Sequence, residues 1–130
     1  MIALDTNVLV RFLVKDDPDQ ARRAEEWIAR LTEDEPGFVG REVLLELVWV
    51  LSKAYQYSRG EITAALEGLL AAVELEVEDA GALGAILHLY GAEGHDFADV
   101  MIRQIGLARG ASAMVTFDAR AARLEGVELL

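Results

Sequence analysis

Met1-Ile2-Ala3-Leu4-Asp5-Thr6-Asn7-Val8-Leu9-Val10 opens the chain, and its reading decides the fold. Ile2 to Asp5 is short, apolar and closed by an acid, as a buried strand leading to a site would be. Thr6 or Asn7 can then cap a short helix through Val14. A strand that passes directly into a helix is the first half of a β-α-β unit.

The alternation continues outward from there. Asp16-Asp17-Pro18 is a helix start, with Asp17 as N-cap and Pro18 in the first helical position. The helix that follows, to about Leu31, puts Ala21, Ala24, Trp27, Ile28 and Leu31 on one face. Glu33 to Gly37 is a turn, and Phe38-Val39 a very short second strand. Arg41 to about Tyr57 is a strongly apolar third helix. Ser58-Arg59-Gly60-Glu61 is a capping box for a fourth, through Ala72. Val73 to Val77 alternates weakly and reads as a third strand. Ala80 to Tyr90 is helical and is broken by Gly91 to Gly94. Asp96 opens a helix to Ala108, with Gly110 just past its end. Ala113 to Phe117 is a fourth strand, Arg120 to Leu124 a helical turn, and Val127 to Leu129 a last strand. The expectation is an α/β fold with one small, mostly parallel sheet covered by helices on both faces, in a single domain over residues 1–130.

Composition bounds the function. The 130 residues are 53% hydrophobic and 27% charged, which is globular rather than disordered. Twelve Lys and Arg against 23 Asp and Glu leave a formal charge of −11. Overall positive charge therefore cannot draw nucleic acid to this protein, although a local site carrying metal ions can. The absence of cysteine excludes disulfides, thiolate metal sites and cysteine nucleophiles. No stretch approaches the ~20 uncharged residues of a spanning helix. The first residues also lack the basic-then-apolar order of a secretory signal. A cytoplasmic protein with no membrane partner is expected.

The chemistry-bearing residues are acids in apolar surroundings. Asp5 closes Ile2-Ala3-Leu4, and Asp118 closes Met114-Val115-Thr116-Phe117. If both strands are parallel, the two acids reach the same end of the sheet, where ligands collect. Either acid alone reads equally well as a helix N-cap. Glu46 is the one charge in the nine residues Val43 to Leu51. A helix apolar nearly all round is buried nearly all round, so its carboxylate needs a cation, a metal or a proton; a buried pair with an arginine, or a side chain snorkelling to the surface, is the competing explanation. Asp96 suits an N-cap, and Asp99 suits the first turn, with Arg103 at i+4. An all-carboxylate set matches a hard cation, Mg²⁺ or Mn²⁺. His88 reads as half-buried, His95 as an exposed turn histidine, and Trp27 and Trp49 as core. No Gly-rich phosphate cradle or nucleophile elbow is present.

These pieces together resemble the PIN-domain ribonucleases, above all the VapC-like toxins of bacterial toxin–antitoxin pairs. The resemblance runs through the opening decapeptide, Glu46 in Val43 to Leu51, Asp96-Phe97-Ala98-Asp99-Val100-Met101-Ile102 and Val115-Thr116-Phe117-Asp118, in that order. It implies a PIN-like three-layer fold and an acidic quartet of Asp5, Glu46, Asp99 and Asp118. Asn7 and Thr116 resemble the polar residues beside the metal site, and Asp96 is either a fifth acid or only the cap. Arg103 departs from the pattern, which has a small residue there. The implied activity is Mg²⁺- or Mn²⁺-dependent endoribonuclease cleavage by a metal-activated water. The implied partners are an RNA substrate, a basic antitoxin protein and a second copy in a homodimer.

Arg11, Lys15, Arg41 and Lys53, on the first and third helices, are the cations nearest this site in the sequence and could line a groove for the RNA backbone, with Arg11, Lys15 and Arg41 the candidates for contacting RNA; each reads equally well as an ordinary surface charge. Two alternatives compete. One is a PIN-like RNA- or protein-binding module with little catalysis, which Arg103 favours. The other is a haloacid-dehalogenase-type phosphohydrolase, which would need Asp in place of Asn7 and a late lysine that this chain lacks.

Overall fold

The computed structural model describes all 130 residues. They form two compact units, Met1–Ala80 and Gly81–Leu130.

In the first unit, β1 (Ile2–Ala3), α1 (Thr6–Val14), α2 (Pro18–Ile28), β2 (Gly37–Val39), α3 (Arg41–Lys53), α4 (Arg59–Ala71) and β3 (Leu75–Val77) follow in order. The strands pair in the order β1-β2-β3, all parallel, with Ile2 opposite Gly37 and Gly37 opposite Leu75. Gly37 sits where the side chains of Leu31 and Leu4 come close to the backbone. A Cβ there would lie 2.9 Å from a Leu31 methyl and 3.0 Å from a Leu4 methyl.

The helix ends follow local chemistry. The first cap is Asp5 itself, which accepts a hydrogen bond from the Thr6 amide at 2.7 Å, while Thr6 is buried. Helix α1 stops at Lys15, whose φ of 60° puts it in the left-handed region. Asp17 caps α2 by accepting from Gln20 N, with Pro18 inside the first turn, as its sequence reads. The capping box of α4 is formed in full: Ser58 Oγ accepts from Glu61 N at 3.1 Å, and Ser58 N donates to Glu61 Oε1 at 3.0 Å. Three helices end earlier than their periodicity suggests. Helix α2 stops at Ile28, and α3 stops at Lys53 because Gln56 takes a left-handed φ of 56°. The third helix to stop short belongs to the second unit.

That unit contains α5 (Ala80–Leu87), which begins at the boundary, α6 (Phe97–Ala108), β4 (Met114–Thr116) and β5 (Val127–Leu129). Helix α5 gives way at His88 to a π-helical turn through Ala92, and Gly94 follows at φ 77°. Ala121–Arg123 is a single 3₁₀ turn. Strands β4 and β5 are parallel, with Met114 opposite Val127.

The class is therefore α/β, with parallel strand pairing throughout. The single sheet read from the sequence is instead two hydrogen-bonded sheets, of three and two strands. Asp5 and Asp118 consequently close strands of different sheets. Alternation identifies a strand but not its partner, so sequence alone could not separate the two cases.

Leu9, Val39, Leu44, Leu47, Leu51, Ile62 and Leu66 form the buried centre of the first unit. Leu83, Ile86, Phe97, Val100 and Met101 are buried in the second, where Tyr90 meets Phe97 edge to face with centroids 5.6 Å apart. No helix is long and apolar enough to cross a membrane.

Candidate active site

In the first unit, β1 ends just before Asp5, and the turn into α1 leaves its carboxylate exposed at the helix start. Asn7, in the first turn of α1, is also exposed. It lines a groove of about 590 Å³ with Leu4, Arg11, Gln20, Arg23 and Trp27.

Glu46 corrects the expectation of a buried carboxylate. Helix α3 buries Leu44, Leu47, Val48 and Leu51, and leaves Glu42, Glu46, Trp49 and Lys53 exposed. The apolar run is not buried all round, because its buried residues cover one face and Val43, Leu45 and Val50 are only half-buried. Glu46 lies on the open face, so burial does not force a counter-ion on it. Trp49, expected in the core, is 62% exposed on the same face. Trp27 is half-buried.

In the second unit, Asp96 caps α6 and accepts from Asp99 N at 3.0 Å. Asp99 is half-buried in the first helical turn. Its carboxyl is held above the usual carboxylate range, chiefly by burial, then by the negative charges of Asp96 and Asp118. Asp118 folds back on itself: its Oδ1 accepts from Arg120 N at 2.8 Å, and its own amide donates to Thr116 Oγ1 at 3.0 Å. This small turn fixes the acid just past β4 and engages the Thr116 hydroxyl.

Arg103 does not pair with Asp99. Its Nε donates to the Glu125 carbonyl, and one Nη donates to Gln104 Oε1 at 3.4 Å. The histidines differ from expectation as well. His88 is exposed, and His95 is the more enclosed of the two, its Nε2 lying 3.9 Å from Glu93 Oε2.

The ion pairs of Arg11, Lys15, Arg22, Arg23 and Arg41 do not involve Asp5, Glu46, Asp99 or Asp118. Of the cations expected near the site, Arg11, Lys15 and Arg41 are, by contrast, engaged, while Lys53 is exposed and joins no such pair. Arg11 binds Asp16 at 2.9 Å and Gln20, and Tyr55 donates to the same Asp16 at 2.8 Å. Lys15 binds Glu25, and Arg41 binds Glu78 and Asp79. The shared hydrogen bonds with Tyr55 hold the Asp16 carboxyl below its ordinary range and the Arg11 guanidinium above its own. Composition hid this network, because a formal charge does not say where its partner lies.

The donor chemistry suits a hard, oxygen-preferring cation: carboxylates only, with no thiolate and no competing guanidinium. The oxygens are not preassembled, since no group of three or more His, Asp or Glu side chains is gathered closely enough to hold a metal ion. Mutual repulsion of bare carboxylates, felt directly by Asp99, opposes such gathering.

Parallel strands, two of them followed closely by an acid, define an α/β protein. A model of the PIN domain family matches residues 2–127, and the chain belongs to that family. The family is a superfamily of nucleases, which supports a nuclease function and a hydrolytic reaction for this chain. It also displaces the haloacid-dehalogenase alternative. No curated protein and no solved structure matches the chain.

Proposed function

We propose that the protein is a Mg²⁺- or Mn²⁺-dependent endoribonuclease and the toxin of a toxin–antitoxin pair. The observation that carries this reading is the unpaired state of Asp5, Glu46, Asp99 and Asp118 in a PIN-domain chain. Arg11, Arg22, Arg23 and Arg41 pair with other acids than these four.

In this reading Asp5, Glu46 and Asp99 hold the metal, and Asp118 aids a second ion or positions the substrate. Bound divalent ions would supply Lewis acidity and lower the pKa of a coordinated water. The protein contributes the placement of the oxygens. Asp5 is fixed by its cap bond to Thr6 N, Asp118 by its bonds within the turn after β4, and Asp99 by the helix start that Asp96 caps. Asp96 is already engaged as that cap. Asn7 and Thr116 lie beside Asp5 and Asp118 in sequence and serve as polar neighbours. Arg103, tied to the Glu125 carbonyl, gives no support to a module whose site is blocked by a cation.

A basic antitoxin segment is the natural complement of a chain carrying −11. A homodimer completes the proposal.

The test is direct. Purified protein with Mn²⁺ should cleave single-stranded RNA, and Asp5→Asn should abolish cleavage while the far-UV spectrum and melting midpoint are retained. A wild-type protein that binds no divalent ion by calorimetry at neutral pH overturns the reading.

A further inference from the structure

Two large aromatic rings stand in solvent beside candidate acids. Trp49 is 62% exposed and Phe117 is 85% exposed. Trp49 follows Glu46 by three residues on the open face of α3, where Cβ atoms at i and i+3 are about 5–6 Å apart. Helical side chains lean toward the N-terminus, so the indole starts on the side of α3 that carries Glu46. Phe117 is the residue immediately before Asp118, between the end of β4 and the turn that fixes that acid.

A chain with this charge cannot hold RNA by its mean field. The cations expected to help, Arg11, Lys15 and Arg41, are paired with acids of their own. Lys53, four residues past Trp49 on the same open face of α3, is exposed and joins none of these pairs, so a contact that does not depend on positive charge would add to its pull on phosphate. Stacking of bases on aromatic rings is such a contact, and it needs unpaired bases.

We propose that Trp49 and Phe117 are base-stacking contacts for single-stranded RNA, each positioning a nucleotide next to the acid it adjoins. The proposal rests on the endoribonuclease reading for its substrate class. Stacking makes the protein prefer unpaired RNA to duplex, and gives affinity that changes little with salt.

The experiment uses the full chain with Asp5→Asn, so that RNA stays uncut, and a fluorescein-labelled single-stranded RNA of twelve mixed nucleotides. Anisotropy titrations with Mn²⁺ compare this parent with versions also carrying Trp49→Ala or Phe117→Ala. Each alanine should weaken binding by about 5- to 100-fold. Trp49→Phe and Phe117→Tyr should restore most of it, and melting midpoints should not move. The salt dependence of binding should be the same in parent and variants, since no cation has been removed. Alanine variants that bind as tightly as the parent overturn the proposal. So does a Trp49→Ala variant that shifts from dimer to monomer with RNA affinity unchanged, because the indole is then a contact between copies. Cleavage by the wild type is scored separately. Cutting with unaffected variants removes the stacking contacts alone, and weakened variants of a protein that never cuts remove the nuclease reading alone.

Discussion

Asp99 is a carboxylate held above its ordinary range by its surroundings, where Asp16 and Glu61 are held below theirs. Burial and the charges of Asp96 and Asp118 raise its pKa in the folded state above the unfolded value. The folded protein thus binds this proton more tightly than the unfolded chain. Asp99 lowers stability where it is ionised in both states, above the raised value, and this penalty is relieved as pH falls through that value. Asp99→Asn should therefore raise the melting midpoint of metal-free protein at neutral pH and reduce its rise on mild acidification. Melts in EDTA across the acidic to neutral range would show this, and a lower midpoint for the variant would contradict it. Asp5→Asn should behave differently, because an amide oxygen caps α1 nearly as well as a carboxylate. Its stability should stay within about 0.5 kcal/mol of the wild type while cleavage is lost.

Helix α3 shows how one element divides structural and chemical labour. Leu47 is fully buried and Glu46, its neighbour, is exposed. Leu47→Ala should lose about 2–5 kcal/mol in denaturant titrations. Glu46→Gln should change stability by no more than about 0.5 kcal/mol. A large loss on Glu46→Gln would instead reveal a structural partner for that carboxylate. Helix α4 depends on its first turn. Removing the capping box with Ser58→Ala should cost about 1 kcal/mol, read in the same titrations. The caps were legible in the sequence because Ser, Asp and Pro act on amides within a few residues of themselves. The ends of α3 and α5 were not, since the left-handed Gln56 and the π-helical turn at His88 leave little trace in hydrophobic periodicity.

For the whole chain, the charge of −11 makes divalent cations and RNA opposite cases. Cation binding to the folded acids should stabilise the protein by about 2.7 kcal/mol at a hundred times the dissociation constant. Mn²⁺ should accordingly raise the melting midpoint, and EDTA should reverse the rise. RNA binding should weaken by less than about tenfold between 50 and 200 mM salt, far from the ~10³–10⁵ of a protein that grips many phosphates with free cations. A steep salt dependence would mean that the pairs of Arg11, Lys15 and Arg41 open to meet RNA.

The sequence by itself determined the order of strands and helices, the parallel class of the pairing, the caps and the identity of the acids, all of which depend on near neighbours and local periodicity. Tertiary structure alone decided which strands share a sheet, that Glu46 and Trp49 face solvent, and that Arg11, Lys15 and Arg41 are held by acids. Those outcomes depend on which distant surfaces meet. An apolar run such as Val43 to Leu51 states how much can be buried, and only packing chooses the side.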